Sequence, residues 1–202
     1  RGKYIVALQA FSDVDLKFFI ETAYKNGVDI FRIFDALNLQ RNIVKAIDYA
    51  REIGAKVQPV IHYTVNFPRG VEGYVKLAQA LIARSGDALD ALVVKDAGGL
   101  LEPDAAYELV SALRAAGITA PIEIHTHETK GNRQLTLLEA IRANGKEYPI
   151  VVDLAIGENT LSSPYAQPDA EGFFTLVGGT NYWGKGGEEN FRSRLRKLGR
   201  RI

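Results

Sequence analysis

Six short apolar, β-branched segments recur along the chain at intervals of roughly 25–35 residues, and this alternation constrains the fold more than any other feature. They are Lys3–Leu8, Val28–Phe34, Lys56–Thr64, Ala91–Lys95, Ile122–His127 and Ile150–Ile156. Between them lie stretches with apolar residues at three- and four-residue spacing: Val14–Tyr24, Asn42–Ile53, Val71–Ala83, Pro103–Ala116 and Arg133–Ala143. That spacing predicts amphipathic helices. Ser12 or Asp13 suits the N-cap of the first, Pro103 the first turn of the fourth, and Gly117 its stop. A strand that returns parallel to its neighbour needs a crossover of this length, and such crossovers are right-handed. The expectation is a parallel sheet of repeated βα units.

The strand segments are nearly continuous apolar runs, as in sheets covered on both faces. An open doubly wound sheet and a (βα) barrel both fit. Polar residues gather at the C-terminal strand ends: Asp35, His62, Thr64, Lys95, Asp96, His125 and His127. A barrel collects such ends into one mouth, whereas an open sheet spreads them along an edge. Ligand-like residues on consecutive strands favour the barrel. Eight units at this spacing need roughly 240 residues, and the chain has 202. The fold class expected is therefore α/β, a TIM-barrel-like repeat of about six parallel βα units, as a partial or smaller barrel. Residues 1–202 then form one domain, with 183–202 a basic, helical C-terminal tail. Two strand edges, Lys3–Leu8 and Ile150–Ile156, are expected to stand open and to invite a homodimer.

Composition excludes several functions. With 25 basic and 24 acidic residues the net charge is +1, which offers no bulk attraction for a polyanion such as nucleic acid. No apolar run approaches the ~18 residues of a bilayer span, and no signal segment opens the chain. A soluble, cytoplasmic protein is expected. Cysteine and methionine are both absent. That rules out disulfides and thiolate zinc sites, and it leads us to expect a processed, trimmed or engineered chain.

The chemistry-bearing pattern is Lys95-Asp96-Ala97-Gly98-Gly99 followed by His125-Thr126-His127. Residues at i and i+2 of a strand share a face, so His125 and His127 can present two imidazoles to one point. Imidazole ligates divalent transition metals. Lys95 ends the preceding strand and reaches the same point. A neutral or carbamylated lysine ligates, but an ammonium has no lone pair to give. Glu123 shares the parity of the histidines one step deeper. It is a surrogate ligand, a partner of Lys95, or a core carboxylate with some other partner. Lys95 itself has the alternative of burial against Asp96, Asp153 or Glu123, although parity puts Asp96 on the opposite face. Asp35 reads as a loop or helix cap, and His62 as a packing or hydrogen-bonding residue. Gly179–Lys185 matches seven positions of a phosphate-binding loop, but Gly186 stands where the metal-coordinating hydroxyl belongs.

Several blocks carry a family resemblance. They are Asn26–Asn38 (with Phe-Arg-Ile-Phe-Asp-Ala-Leu-Asn), Tyr63-Thr64, Val94–Leu101, Ala105–Val110, His125–His127, Val152–Ile156 and Gln167-Pro168. In this order they resemble the carboxyltransferase domain of biotin-dependent enzymes: pyruvate carboxylase, the oxaloacetate decarboxylase alpha subunit and the transcarboxylase 5S subunit. The resemblance implies a TIM barrel of which the chain carries strands three to eight. It implies a divalent metal (Zn, Mn, Co or Mg) held by Lys95, His125 and His127, with the lysine carbamylated in several members. Arg1 matches the family arginine beside substrate and biotin, so Arg1 and Lys95 are the catalytic candidates. Leu8 stands where a tyrosine is common, and His62 replaces a small residue. The function implied is carboxyl transfer or decarboxylation on a 2-keto acid such as oxaloacetate or pyruvate. Biotin on a carrier domain or subunit is the carboxyl carrier, and missing family residues impair turnover. The alternative is an engineered or generated βα scaffold whose inherited motifs are inactive.

Overall fold

The structure is a computed structural model. It describes residues 12–127, 129, 132–148, 150–154 and 174–177, the segments 151–154 and 174–177 by backbone alone. The expected strand Lys3–Leu8, Arg1, the phosphate-loop-like segment and the basic tail lie outside the described residues.

Helices and strands alternate: α1 (Asp13–Lys25), β1 (Ile30–Ile33), α2 (Gln40–Glu52), β2 (Lys56–His62), α3 (Gly70–Ser85), β3 (Leu92–Asp96), α4 (Pro103–Ala115), β4 (Ile122–Thr126), α5 (Arg133–Asn144), β5 (Ile150–Leu154) and β6 (Phe174–Val177). α2 and α4 each come from an apolar stripe. In α2 the buried residues are Ile43, Ala46, Ile47 and Ala50, and in α4 they are Ala106, Leu109, Val110 and Leu113. Ser12 is the N-cap of α1, and its hydroxyl accepts from the Asp15 N–H. Pro103 opens α4, and Gly117 follows its end with a φ of 81°, a left-handed value that glycine adopts without strain.

All neighbouring strands are parallel, and their order in the sheet is their order in the chain, β1 to β6. A doubly wound sheet reverses direction at a switch point. This sheet never reverses, which is the winding of a barrel. The sequence reading missed β6, a four-residue strand just before Gly178. Because β6 pairs with β5, the edge expected to stand open at Ile150–Ile156 is covered within the chain.

Strand alternation divides the side chains into two sets. Phe31, Ile33, Val57, Ile61, Leu92, Val94, Ile122 and Ile124 join the hydrophobic core shared with the helices. Arg32, Gln58, Val60, His62, Val93, Lys95, Glu123 and His125 occupy the alternate positions and face inward. The inner face is concave. On a flat sheet β1 and β4 are about 14 Å apart, three strand spacings, yet the Arg32 guanidinium meets the Glu123 carboxylate directly. Such a shortcut needs curvature. The described residues are thus a partial TIM-type barrel.

Candidate metal and active site

The C-terminal strand ends form the mouth. His62, Lys95, His125 and Asp153 are register partners across β2, β3, β4 and β5, one row at one height. Lys95 Nζ lies 3.4 Å from His125 Nε2. The rings of His125 and His127 are 5.3 Å apart, inclined at 61°. Lys95 Nζ also sits over the Phe34 ring, 5.1 Å from its centre. Phe34 follows β1 on the inner face, and the sequence reading passed over it.

The loop between β3 and α4 sets this geometry. Asp96 is fully buried and faces away from the mouth, as its parity requires. Its carboxylate accepts from the N–H groups of Leu100 and Leu101 and from the Thr126 hydroxyl, so Lys95 does not take it as a partner. The bond to Thr126 ties β3 to β4 between the two histidines. Gly99 has a φ of 62°, and a Cβ there would meet Thr129 Oγ1 at 1.9 Å and the His127 carbonyl at 2.7 Å. Only glycine lets this loop close against the backbone of His127. The Thr129 hydroxyl donates to the Gly98 carbonyl across the same contact.

Two further loops shape the rim. Asp35 behaves as a loop cap, accepting from the N–H groups of Leu37 and Leu39 and from the Asn42 amide. Burial pushes its carboxyl up, but these bonds and the Arg41 charge outweigh that and hold it below the usual carboxylate range. Asn38, with a φ of 54°, donates to the His62 carbonyl and accepts from the His62 N–H, each at 2.7 Å. Its amide thus pairs with the last residue of β2 on the side of β1, past the end of the β1 ladder. Asn is the residue that most readily supplies both a left-handed backbone and a peptide-like side chain, a signal present in Asp-Ala-Leu-Asn but not drawn from it. Burial, then the Lys95 charge, push the His62 imidazole below its ordinary pKa.

Glu123 resolves one of the open alternatives. It is 1% exposed and pairs with Arg32, which is 6% exposed. It is a core carboxylate paired with a cation from β1. The chain of contacts continues: Arg32 Nε donates to Gln58 Oε1 at 3.0 Å, and Gln58 Nε2 to Asp90 Oδ2 at 2.6 Å.

The donor set suits a divalent cation. Among the described residues no three His, Cys, Asp or Glu side chains cluster as a metal site. His62 therefore does not complete a three-histidine set with His125 and His127.

Fold and site together define a TIM-type βα protein with two imidazoles and an amine gathered at its mouth. No protein-family model matches the chain. It is 37% identical over 182 residues to a pyruvate carboxylase subunit of Methanocaldococcus jannaschii, covering 90% of this chain and 30% of that one. It is 33% identical over 183 residues to the methylmalonyl-CoA carboxyltransferase 5S subunit of Propionibacterium freudenreichii subsp. shermanii, covering 90% and 34%. The carboxyl transferase domain of Rhizobium etli pyruvate carboxylase, solved with pyruvate, superimposes with a TM-score of 0.63 at 35% identity, over 73% of this chain and 25% of that one. The chain is a homologue of these carboxyltransferase domains, and it spans about a third of the length of the curated relatives it matches.

Among the described residues no helix is long and apolar enough to cross a membrane.

Proposed function

We propose that the chain takes part in metal-dependent carboxyl transfer or decarboxylation on a 2-keto acid of the oxaloacetate–pyruvate type, with biotin as carboxyl carrier. The observation that carries this reading is Lys95 Nζ at 3.4 Å from His125 Nε2, beside His127 and at the open ends of the strands. Relatives support it by name: one solved R. etli domain holds pyruvate, and another, 34% identical with a TM-score of 0.60 over 70% of this chain and 24% of that one, holds pyruvate and biocytin.

In this reading His125 and His127 hold the metal through neutral imidazole nitrogens. Lys95 joins them once its amine has added CO2 and lost a proton, which replaces an ammonium by a carboxylate-like donor. The metal, when bound, acts as a Lewis acid toward the oxygen on which negative charge develops. Asp96 holds the Lys95 strand end against Thr126, and Phe34 covers the aliphatic stem and amine from the side of β1. Arg1 is the proposed clamp for the substrate carboxylate, because a guanidinium binds a carboxylate through two parallel bonds. We also assign residues 1–202 to one carboxyltransferase-like unit with a basic tail at 183–202, and a biotinylated carrier as partner.

The test is metal uptake with zinc and with manganese in bicarbonate, together with oxaloacetate decarboxylation. Lys95→Ala and His125→Ala should each lose metal and turnover, with unfolding free energy changed by less than about 1 kcal/mol. Wild-type protein that takes up no metal at saturating concentration ends this reading.

A further inference from the structure

His62 stands at the mouth without belonging to a cluster of metal donors. It is the register partner of Lys95, one strand spacing away, roughly 5 Å, and His125 is the partner of Lys95 on the other side. Lys95 is near enough for its charge to act on the His62 imidazole. Among the described residues, however, no three His, Cys, Asp or Glu side chains group as a metal site. His62 is part-buried and has no place in the hydrophobic core.

The fold fixes this residue from both sides. The β1 ladder on β2 stops at Pro59. Past that point Asn38 accepts from the His62 N–H and donates to the His62 carbonyl, each at 2.7 Å. On the side of β3 the Tyr63 N–H donates to the Lys95 carbonyl at 2.8 Å. Asn38 makes its two bonds from a left-handed backbone with a φ of 54°. Such conformations in non-glycine residues persist where the surroundings over-determine them, and they gather at functional sites. A strand end gripped in this way holds the His62 ring at the mouth.

Resting on the reading of the mouth as a 2-keto acid site, we propose that His62 is a specificity-determining residue and Asn38 the positioning residue that holds it. An acid held by its oxygens at Lys95, His125 and His127 has imidazoles on the flank of β4. Its carbon chain then runs toward β2, where the His62 ring occupies the space and Phe34 lies over the amine from β1. The ring is a wall that admits a short chain beyond the keto group and rejects a longer one. One methylene that does not fit is worth about 10- to 200-fold in selectivity.

The experiment measures dissociation constants for pyruvate and for 2-oxobutyrate, which is one methylene longer. It uses NMR titration of the full chain in bicarbonate buffer with zinc, and zinc uptake is followed alongside. Wild type should favour pyruvate by at least about 10-fold. His62→Ala should bring the two acids within about threefold of each other, chiefly by tightening 2-oxobutyrate. His62→Phe keeps a ring and removes its nitrogens, so it should retain the preference. Asn38→Gly keeps the left-handed turn and the imidazole but removes the grip, and it should lower the preference. A merely structural His62 or Asn38 would move both acids alike.

A preference that survives His62→Ala or Asn38→Gly overturns the proposal. Loss of preference in His62→Phe also overturns it, because hydrogen bonding and not bulk would then select. If His62→Ala does not fold, Asn38→Gly and His62→Phe still decide. Zinc uptake with equal binding of both acids spares the function proposed above and overturns this inference. A preference that depends on His62 in a protein that takes up no zinc or manganese does the reverse. Wild type that binds neither acid overturns both.

Discussion

The two ends of the sheet use cations in opposite ways. At the N-terminal end, Arg114 is consumed by the fold. Its Nη1 donates to the carbonyls of Ile118 and Ala120 at 2.7 and 2.8 Å, its Nε and Nη2 donate to Asn144 Oδ1 at 2.9 and 2.6 Å, and it lies over the Tyr148 ring. Burial brings its pKa down to about 10. At the C-terminal end, Lys95 faces an imidazole and an aromatic ring, partners that position an amine. A guanidinium with its donors committed to backbone carbonyls stabilises. An amine beside two histidines stands where, in the proposed function, the chemistry would take place. The same division, stability below and catalysis above, belongs to barrels generally.

The largest expected effect tests the stabilising end. Arg114→Met should lower the unfolding free energy by about 3 kcal/mol, since it strands two carbonyls and Asn144. The midpoint of thermal unfolding should fall by about 6–12 °C, with metal affinity unchanged. A matching loss of metal affinity would break the comparison. Gly99→Ala should come next, at about 2 kcal/mol by denaturant titration, from left-handed strain and collision. Unlike Arg114→Met, it should also weaken metal binding, because the collision falls on the His127 carbonyl.

Two smaller effects come from pH. Tyr74 donates its hydroxyl to the Thr64 carbonyl and accepts from the Thr64 N–H, and burial pushes its pKa from 10.0 up to about 12. A raised pKa means that this contribution is complete below pH 10 and is lost as pH climbs toward 12. Tyr74→Phe should flatten that alkaline limb in pH-dependent unfolding. Asp35 has the opposite sign. Its lowered pKa gives stability that is present above pH 3.8, the unperturbed value, and lost as pH falls further. Asp35→Asn should remove this slight acid dependence, and an unchanged acid limb would remove Asp35 from the account of the rim.

Local pattern made the helices and five of the described strands legible, because three-four spacing and β-branched runs are short-range signals. Strand parity alone placed Lys95, Glu123 and His125 on the inner face and Asp96 on the other. What it could not supply was the partner of Glu123. Arg32 is 91 residues earlier in the chain, and only the curvature of the sheet brings the two together. Asn38 was missed for a related reason, since its function depends on a strand end that its own neighbours do not reveal. The choice between open sheet and barrel needed the strand order, which no single segment encodes. β6 was passed over because a four-residue run gives too little periodicity.

The row His62, Lys95 and His125 has a practical consequence. Three consecutive strands each contribute one position at the same height, on the side that the helices do not pack against. Exchanging these three codons would rewrite the reagent set of the mouth and leave the folding instructions in place. A library confined to them is the shortest route from this scaffold to a different reaction.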